Sequence, residues 1–162
     1  MKRGCAQLEP ADVASAFGFP LDEFQMDALT ALAERRNVIV SAPTGSGKTV
    51  CGEAAVYLGS ALGKRVIYTT PLKALSNQKY NDFCAQFGEE RVGLLTGDTS
   101  INREQASILV VTTEVYRNML YDVESIPDVH SVVLDEFHYM NDRDRGTVPP
   151  TCWDTLSCAD WA

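Results

Sequence analysis

The run Ala42-Pro43-Thr44-Gly45-Ser46-Gly47-Lys48-Thr49 lies between a short apolar stretch, NVIVSA at 37–42, and a helical pattern, KTVCGEAAVYLGSALG at 48–63. No other feature restricts the fold of this chain as tightly. Gly45 and Gly47 let the backbone curl until its N–H groups point inward at a phosphate. Lys48 has the reach for β- and γ-phosphates, and the Thr49 hydroxyl is a ligand for Mg2+. The helix that follows adds the positive end of its dipole. The pattern is that of a phosphate-binding loop with alanine where the first glycine usually stands. Thr44, Gly45, Ser46, Gly47, Lys48 and Thr49 are therefore the candidate nucleotide-binding residues. An ordinary Gly/Ser turn is the plain alternative, but such a turn does not require the full Gly-x-Gly-Lys-Thr run between a strand and a helix.

The remainder of the chain alternates in the same way. LDEFQMDALTALAERR has Leu21, Phe24, Ala28, Leu29, Leu32 and Ala33 at helical spacing. The residues before it read as loose. NVIVSA, KRVIYTT, RVGLLTG, ASILVVTT and HSVVLDE read as strands, with helices predicted over PLKALSNQKYNDFCAQFG and TEVYRNMLYD. Strands that are apolar throughout and separated by helices predict an α/β fold with a parallel sheet covered on both faces. Ligands of such sheets bind beyond the carboxyl ends of the strands, and the polar clusters of this sequence fall there. One cluster supplies the carboxylates that a phosphate loop needs. Asp135 ends the SVVL strand and can anchor Mg2+ through a water, and Glu136 can orient or deprotonate the attacking water. His138 either couples the nucleotide to another domain or caps a turn.

At 162 residues the chain is one domain by length. Its net charge of −8 excludes nucleic-acid binding by bulk electrostatics, so any strand it holds must be held by local geometry such as helix N-termini and backbone amides. Cys5, Cys51, Cys84, Cys152 and Cys158 form no Cys-x-x-Cys pair and no ligand spacing with His130 or His138, which predicts no thiolate metal site and a reducing, intracellular compartment. No apolar run approaches the roughly eighteen residues of a membrane span. The N-terminus lacks the apolar core of a secretory signal.

Six stretches, LDEFQ, SAPTGSGKT, YTTPLKALSNQKYNDF, GLLTGDTSIN, TTEVYRNMLY and LDEFHYMNDRDRG, occur in an order that resembles the first RecA-like lobe of a DExH-box RNA helicase of superfamily two. The chain is most similar to the superkiller-type, exosome-cofactor group. The phenylalanine of DEFHYMND resembles that of the plastid and cyanobacterial members. The resemblance divides the chain into an N-terminal extension at 1–16, an ATP-binding RecA-like P-loop domain at 17–148, and a divergent tail at 149–162. It implies that Phe19 stacks on adenine and that Gln25 hydrogen-bonds the base edge; on periodicity alone Phe19 is equally a hydrophobic staple before the helix. It implies that Pro71, Lys73, Ala74, Gly97, Thr113 and Glu114 lie along an RNA backbone, which makes recognition indifferent to base sequence. Lys73 otherwise reads as a solvated helix charge, and Arg117 as either an RNA contact or a structural ion pair.

The implied function is an ATP-dependent RNA helicase that uses ATP and Mg2+. RNA and an RNA-decay or processing complex are its implied partners, with no membrane association and no oligomer. The resemblance departs after Val148. Pro149 and Pro150 cannot continue the family's next helix, Trp153 and Trp161 fall in a tail expected to be disordered, and no segment resembles the second lobe with its arginine fingers. The expectation is a lobe that binds Mg-ATP weakly and turns it over slowly alone. The alternatives are an inert nucleotide- or RNA-binding short form, a truncated fragment of a longer helicase, and a small-molecule kinase, the last disfavoured by LKALSNQ and TTEVYRNM.

Overall fold

The computed structural model describes residues 9–121 and 129–136. A short helix α1, Pro10–Ser15, precedes α2, Glu23–Ala33, and α3, Lys48–Ala61. Then follow β1 (Arg65–Thr70), α4 (Lys73–Phe87), a 3-10 turn (Glu89–Arg91), β2 (Val92–Leu95) and the two-residue β3 (Ser100–Ile101). The described chain closes with β4 (Ile108–Thr112), α5 (Thr113–Met119) and β5 (Val129–Leu134).

The sheet has the order β3-β2-β4-β1-β5. All pairings are parallel except that of β3, which runs antiparallel along β2. Parallel strands with a shared register end together: Thr70 of β1 pairs with Thr112 of β4, and Thr69 with Leu134 of β5. β-branched residues suit these pleated, fully buried positions. The two faces separate cleanly. Val66 and Tyr68 of β1, Ile108 and Val110 of β4 and Leu94 of β2 pack against Val56 of α3 and Phe83 of α4. Ile67, Leu109 and Val111 point the other way, against Tyr116 and Met119 of α5. A third cluster joins α1, α2 and α3 through Val13, Leu29, Ala54 and Leu58. Helices thus cover both faces, as the apolar strands require.

Three features differ from the sequence reading. The residues before LDEFQ contain α1, tied down by Val13, because an apolar anchor outweighs the poor pattern of a six-residue helix. The sheet is mixed at its β3 edge. The segment NVIVSA at 37–42 is not a strand: it carries no ladder, and Ile39 is 97% exposed. A short apolar run becomes a strand only when another strand receives its N–H and C=O groups, and no described strand lies beside it. The expectations for His138 and for the tail at 149–162 lie outside the described residues.

Candidate functional site

The loop before α3 has the backbone that its glycines predict. Gly45 and Gly47 both sit at φ +82°, in the left-handed region that L side chains rarely adopt. Gly47 is constrained twice, since a Cβ there would come within 2.7 Å of Gln25 Nε2. It also serves as the N-cap of α3, so the helix starts at Lys48 without a side-chain cap. Lys48 Nζ donates hydrogen bonds of 2.7 Å to the carbonyls of Ala42 and Pro43, which draws the ammonium against the loop. Ser46 Oγ is buried and has no hydrogen-bond partner among the described residues. Thr44 and Thr49 are exposed. Left-handed glycines, an ammonium bound only by carbonyls and an orphaned hydroxyl suit an anion with several oxygens, so the loop fits a nucleotide phosphate.

Gln25 is buried, at 5% exposure, and both ends of its amide are engaged. Its Oε1 accepts the backbone N–H of Asp22 at 2.9 Å, closing the start of α2 in a capping box, and its Nε2 donates to the Gly47 carbonyl at 3.1 Å. The residue assigned to an adenine edge therefore also ties α2 to the phosphate loop, a link that sequence reading missed. Phe19 is half exposed and meets Phe17 edge-on at 5.9 Å, while Phe17 packs on Tyr57 of α3.

The carboxylates follow β5. Asp135 donates its backbone N–H to the Thr69 carbonyl of β1, which extends the parallel pairing by one residue. Its Oδ2 accepts a 2.8 Å hydrogen bond from the Tyr68 hydroxyl, and its Oδ1 accepts the Glu136 N–H at 2.9 Å. Burial, then the charge of Asp135 and this hydrogen bond, push the Tyr68 phenol well above its ordinary range, so it stays a donor. Glu136 is exposed at φ +51°, a left-handed conformation that costs a non-glycine residue about 1–2 kcal/mol. Strain of this kind concentrates at functional sites.

The cradle and the carboxylates lie close together. A Cβ at Gly52, one helical turn after Lys48, would stand 3.0 Å from Val133 Cγ1 and 3.4 Å from the Tyr68 hydroxyl that holds Asp135. Thr49 and Asp135 form an oxygen donor set that suits Mg2+ shared with phosphates. Among the described residues no three His, Cys, Asp or Glu side chains gather into a metal cluster.

The predicted strand-contacting residues follow the same ends of the sheet: Pro71, Lys73 and Ala74 after β1, Gly97 after β2, Thr113 and Glu114 after β4. Lys73 and Ala74, the first residues of α4, are exposed, as are Gly97 and Glu114, whereas Pro71 and Thr113 are half-buried. Pro71 stands two residues before α4 rather than in its first turn. The turn into α4 is fixed by Ser76, fully buried, whose hydroxyl lies 2.6 Å from that of Thr70. Lys73 is not simply solvated. Its ammonium pairs with Asp98 Oδ2 at 2.5 Å, while Thr96 donates to the other Asp98 oxygen at 2.9 Å. Those two hydrogen bonds, Lys73 first, hold the Asp98 carboxyl below its usual range.

Comparison with known proteins points to helicases. The family model described as DEAD/DEAH box helicase matches residues 22–157, a span that runs past Val148. Over 141 residues the chain is 52% identical to "Probable helicase HelY" of Mycobacterium leprae (strain TN), a match covering 86% of this chain and 15% of that protein. It is 46% identical over 152 residues to the "DExH-box ATP-dependent RNA helicase DExH15 chloroplastic" of Arabidopsis thaliana, covering 90% of this chain and 13% of that one. A solved structure, a hypothetical ATP-dependent RNA helicase from Sulfolobus tokodaii, superposes with a TM-score of 0.60 at 26% identity over 81% of this chain and 41% of that chain. The chain spans about a seventh of the length of these two curated relatives.

Proposed function

Because the chain belongs to the DEAD/DEAH box helicase family, we propose that it acts as the ATP-binding lobe of an ATP-dependent RNA helicase, holding Mg-ATP in the loop before α3 and an RNA backbone across the carboxyl ends of β1, β2 and β4. One observation carries this reading: one turn after Lys48, α3 packs at Gly52 against Val133 of β5 and against the Tyr68 hydroxyl that holds Asp135, which brings the helix of the phosphate loop beside the end of β5. Thr44 to Thr49 cradle the phosphates. Lys48 exchanges the carbonyls of Ala42 and Pro43 for phosphate oxygens, and Gln25 and Phe19 receive the adenine. Thr49 and Asp135 would hold Mg2+, which when bound would neutralise charge on the phosphates. Glu136 orients the attacking water.

Turnover at a useful rate calls for an arginine from a second lobe, worth on the order of 10³–10⁵ in rate, and unwinding calls for two lobes that move on the strand. The resemblance to the superkiller-type group supports a place in an RNA-decay or processing complex. The domain limits 17–148 remain part of the same proposal.

The RNA half of the reading is tested by fluorescence anisotropy on two labelled single-stranded RNAs of unrelated sequence. Backbone contact predicts equal affinities, and Lys73→Glu weakens both by the same several-fold factor. Lys73 brings its own counter-charge in Asp98 and the protein carries a charge of −8. The slope of log K against log salt is therefore shallow, about 0.7 to 1.4 in magnitude, as for one or two phosphate contacts on a single strand. A strong preference for one sequence, or no effect of Lys73→Glu, contradicts it.

A further inference from the structure

Tyr68 opens the stretch YTTPLKALSNQKYNDF but has no role assigned to it there, yet its side chain is among the most constrained of the described residues. It is fully buried in β1, with its ring edge-on to Phe83 of α4 at 5.3 Å. Lys79 of α4 stands 5.9 Å from the ring centroid while its ammonium pairs with Glu53 of α3 at 2.7 Å. On the α3 side the ring meets a glycine. A Cβ at Gly52 would fall 3.3 Å from Tyr68 Cε2 and 3.4 Å from its hydroxyl, so even a methyl there presses on the phenol. Three elements therefore fix the ring, and the hydroxyl at its tip donates to Asp135 Oδ2 at 2.8 Å.

We propose that Tyr68 is a positioning residue for the nucleotide-bound magnesium: its immobile hydroxyl and the Glu136 N–H each take one oxygen of Asp135 and fix the plane of the carboxylate. Each carboxylate oxygen has more than one acceptor direction, so both retain capacity for a metal-bound water. Groups that orient a metal ligand from behind shape affinity nearly as strongly as the ligand itself. Because Lys79 and Glu53 brace the ring from α4 and α3, the carboxylate is referenced to the helix that carries Lys73 and to the helix that carries the phosphate loop.

The inference rests on the reading of Asp135 as the magnesium carboxylate, and the experiment separates the two. The full chain is titrated with N-methylanthraniloyl-ATP in excess Mg2+ and again in EDTA, and the ratio of the two affinities is the magnesium gain. Tyr68→Phe keeps the EDTA affinity and lowers the magnesium gain by about tenfold to a hundredfold, the range for losing a group that orients a metal ligand from behind. Asp135→Asn removes the gain, and adding Tyr68→Phe to it costs nothing further, the non-additivity expected of two residues acting through one contact. A full gain in Tyr68→Phe alongside its loss in Asp135→Asn overturns the role of Tyr68 and leaves Asp135 standing. An equal fall of both affinities in Tyr68→Phe also overturns it, since that is the mark of a merely structural residue. A full gain in Asp135→Asn, or no gain in the unaltered chain, overturns the magnesium reading and this inference with it. If Tyr68→Phe does not fold, Gly52→Ala carries the test: displacement of the phenol lowers the gain, and an unchanged gain overturns the proposal.

Discussion

Gln25 shows how one side chain can serve both the frame and the ligand. Its amide satisfies the N–H of Asp22, the N-cap of α2, and, across 22 residues of sequence, the carbonyl of Gly47 in the phosphate loop. A residue that only reads adenine can be removed without loss of stability. Gln25→Ala instead removes two part-buried hydrogen bonds, each worth about 0.5–1.5 kcal/mol. Thermal melts without nucleotide are therefore expected to show a clear fall, together with weakened ATP binding. The sequence made Gln25 legible as a site residue through its motif, but not as a brace. A motif records which residues meet a ligand; it does not record a hydrogen bond closed by the fold. Tyr68 was hidden for the same reason, as one aromatic in an apolar strand, and Asp98 went unseen because a turn acid has no pattern that names its partner.

At the scale of elements, the strands β1, β2, β4 and β5 and the helices α2 to α5 were all legible from apolar runs and helical spacing. The run at 37–42 was not, because its hydrophobicity is strand-like while its fate depends on a pairing that no local signal encodes. Close packing of α3 on the sheet is a second property invisible to periodicity. Gly59 lies so near β1 that a Cβ would stand 2.1 Å from Val66 Cγ2, a fully buried atom with nowhere to move. Gly59→Ala should then destabilise the domain by about 1–3 kcal/mol despite the better helix propensity of alanine. A calorimetric midpoint lowered by several degrees is the expected result. Gly63, just beyond the same helix, has open space around it, so an alanine there would cost only through the left-handed backbone at φ +65°.

For the whole molecule, pH enters through His130 on β5. Burial, reinforced by the charges of Arg35 and Lys64, holds its pKa below the ordinary 6.5. The unfolded chain takes up a proton where the folded chain stays neutral, so this contribution to stability is complete above pH 6.5 and is lost as pH falls below it. Denaturant melts between pH 5 and 7.5 are expected to show that loss, reduced in His130→Gln. The family was readable from the order of the motifs along the chain; those after β1, β2, β4 and β5 lie at the carboxyl ends of strands, whereas LDEFQ opens α2 and the phosphate loop follows the unpaired run at 37–42. The central claim is that the loop before α3 binds the phosphates of ATP, and isothermal titration of the unaltered chain and of Lys48→Ala with Mg-ATP tests it most directly. The account predicts measurable binding by the first and at least tenfold weaker binding by the second, with both melting at similar temperatures. Equal affinity in the two would contradict it.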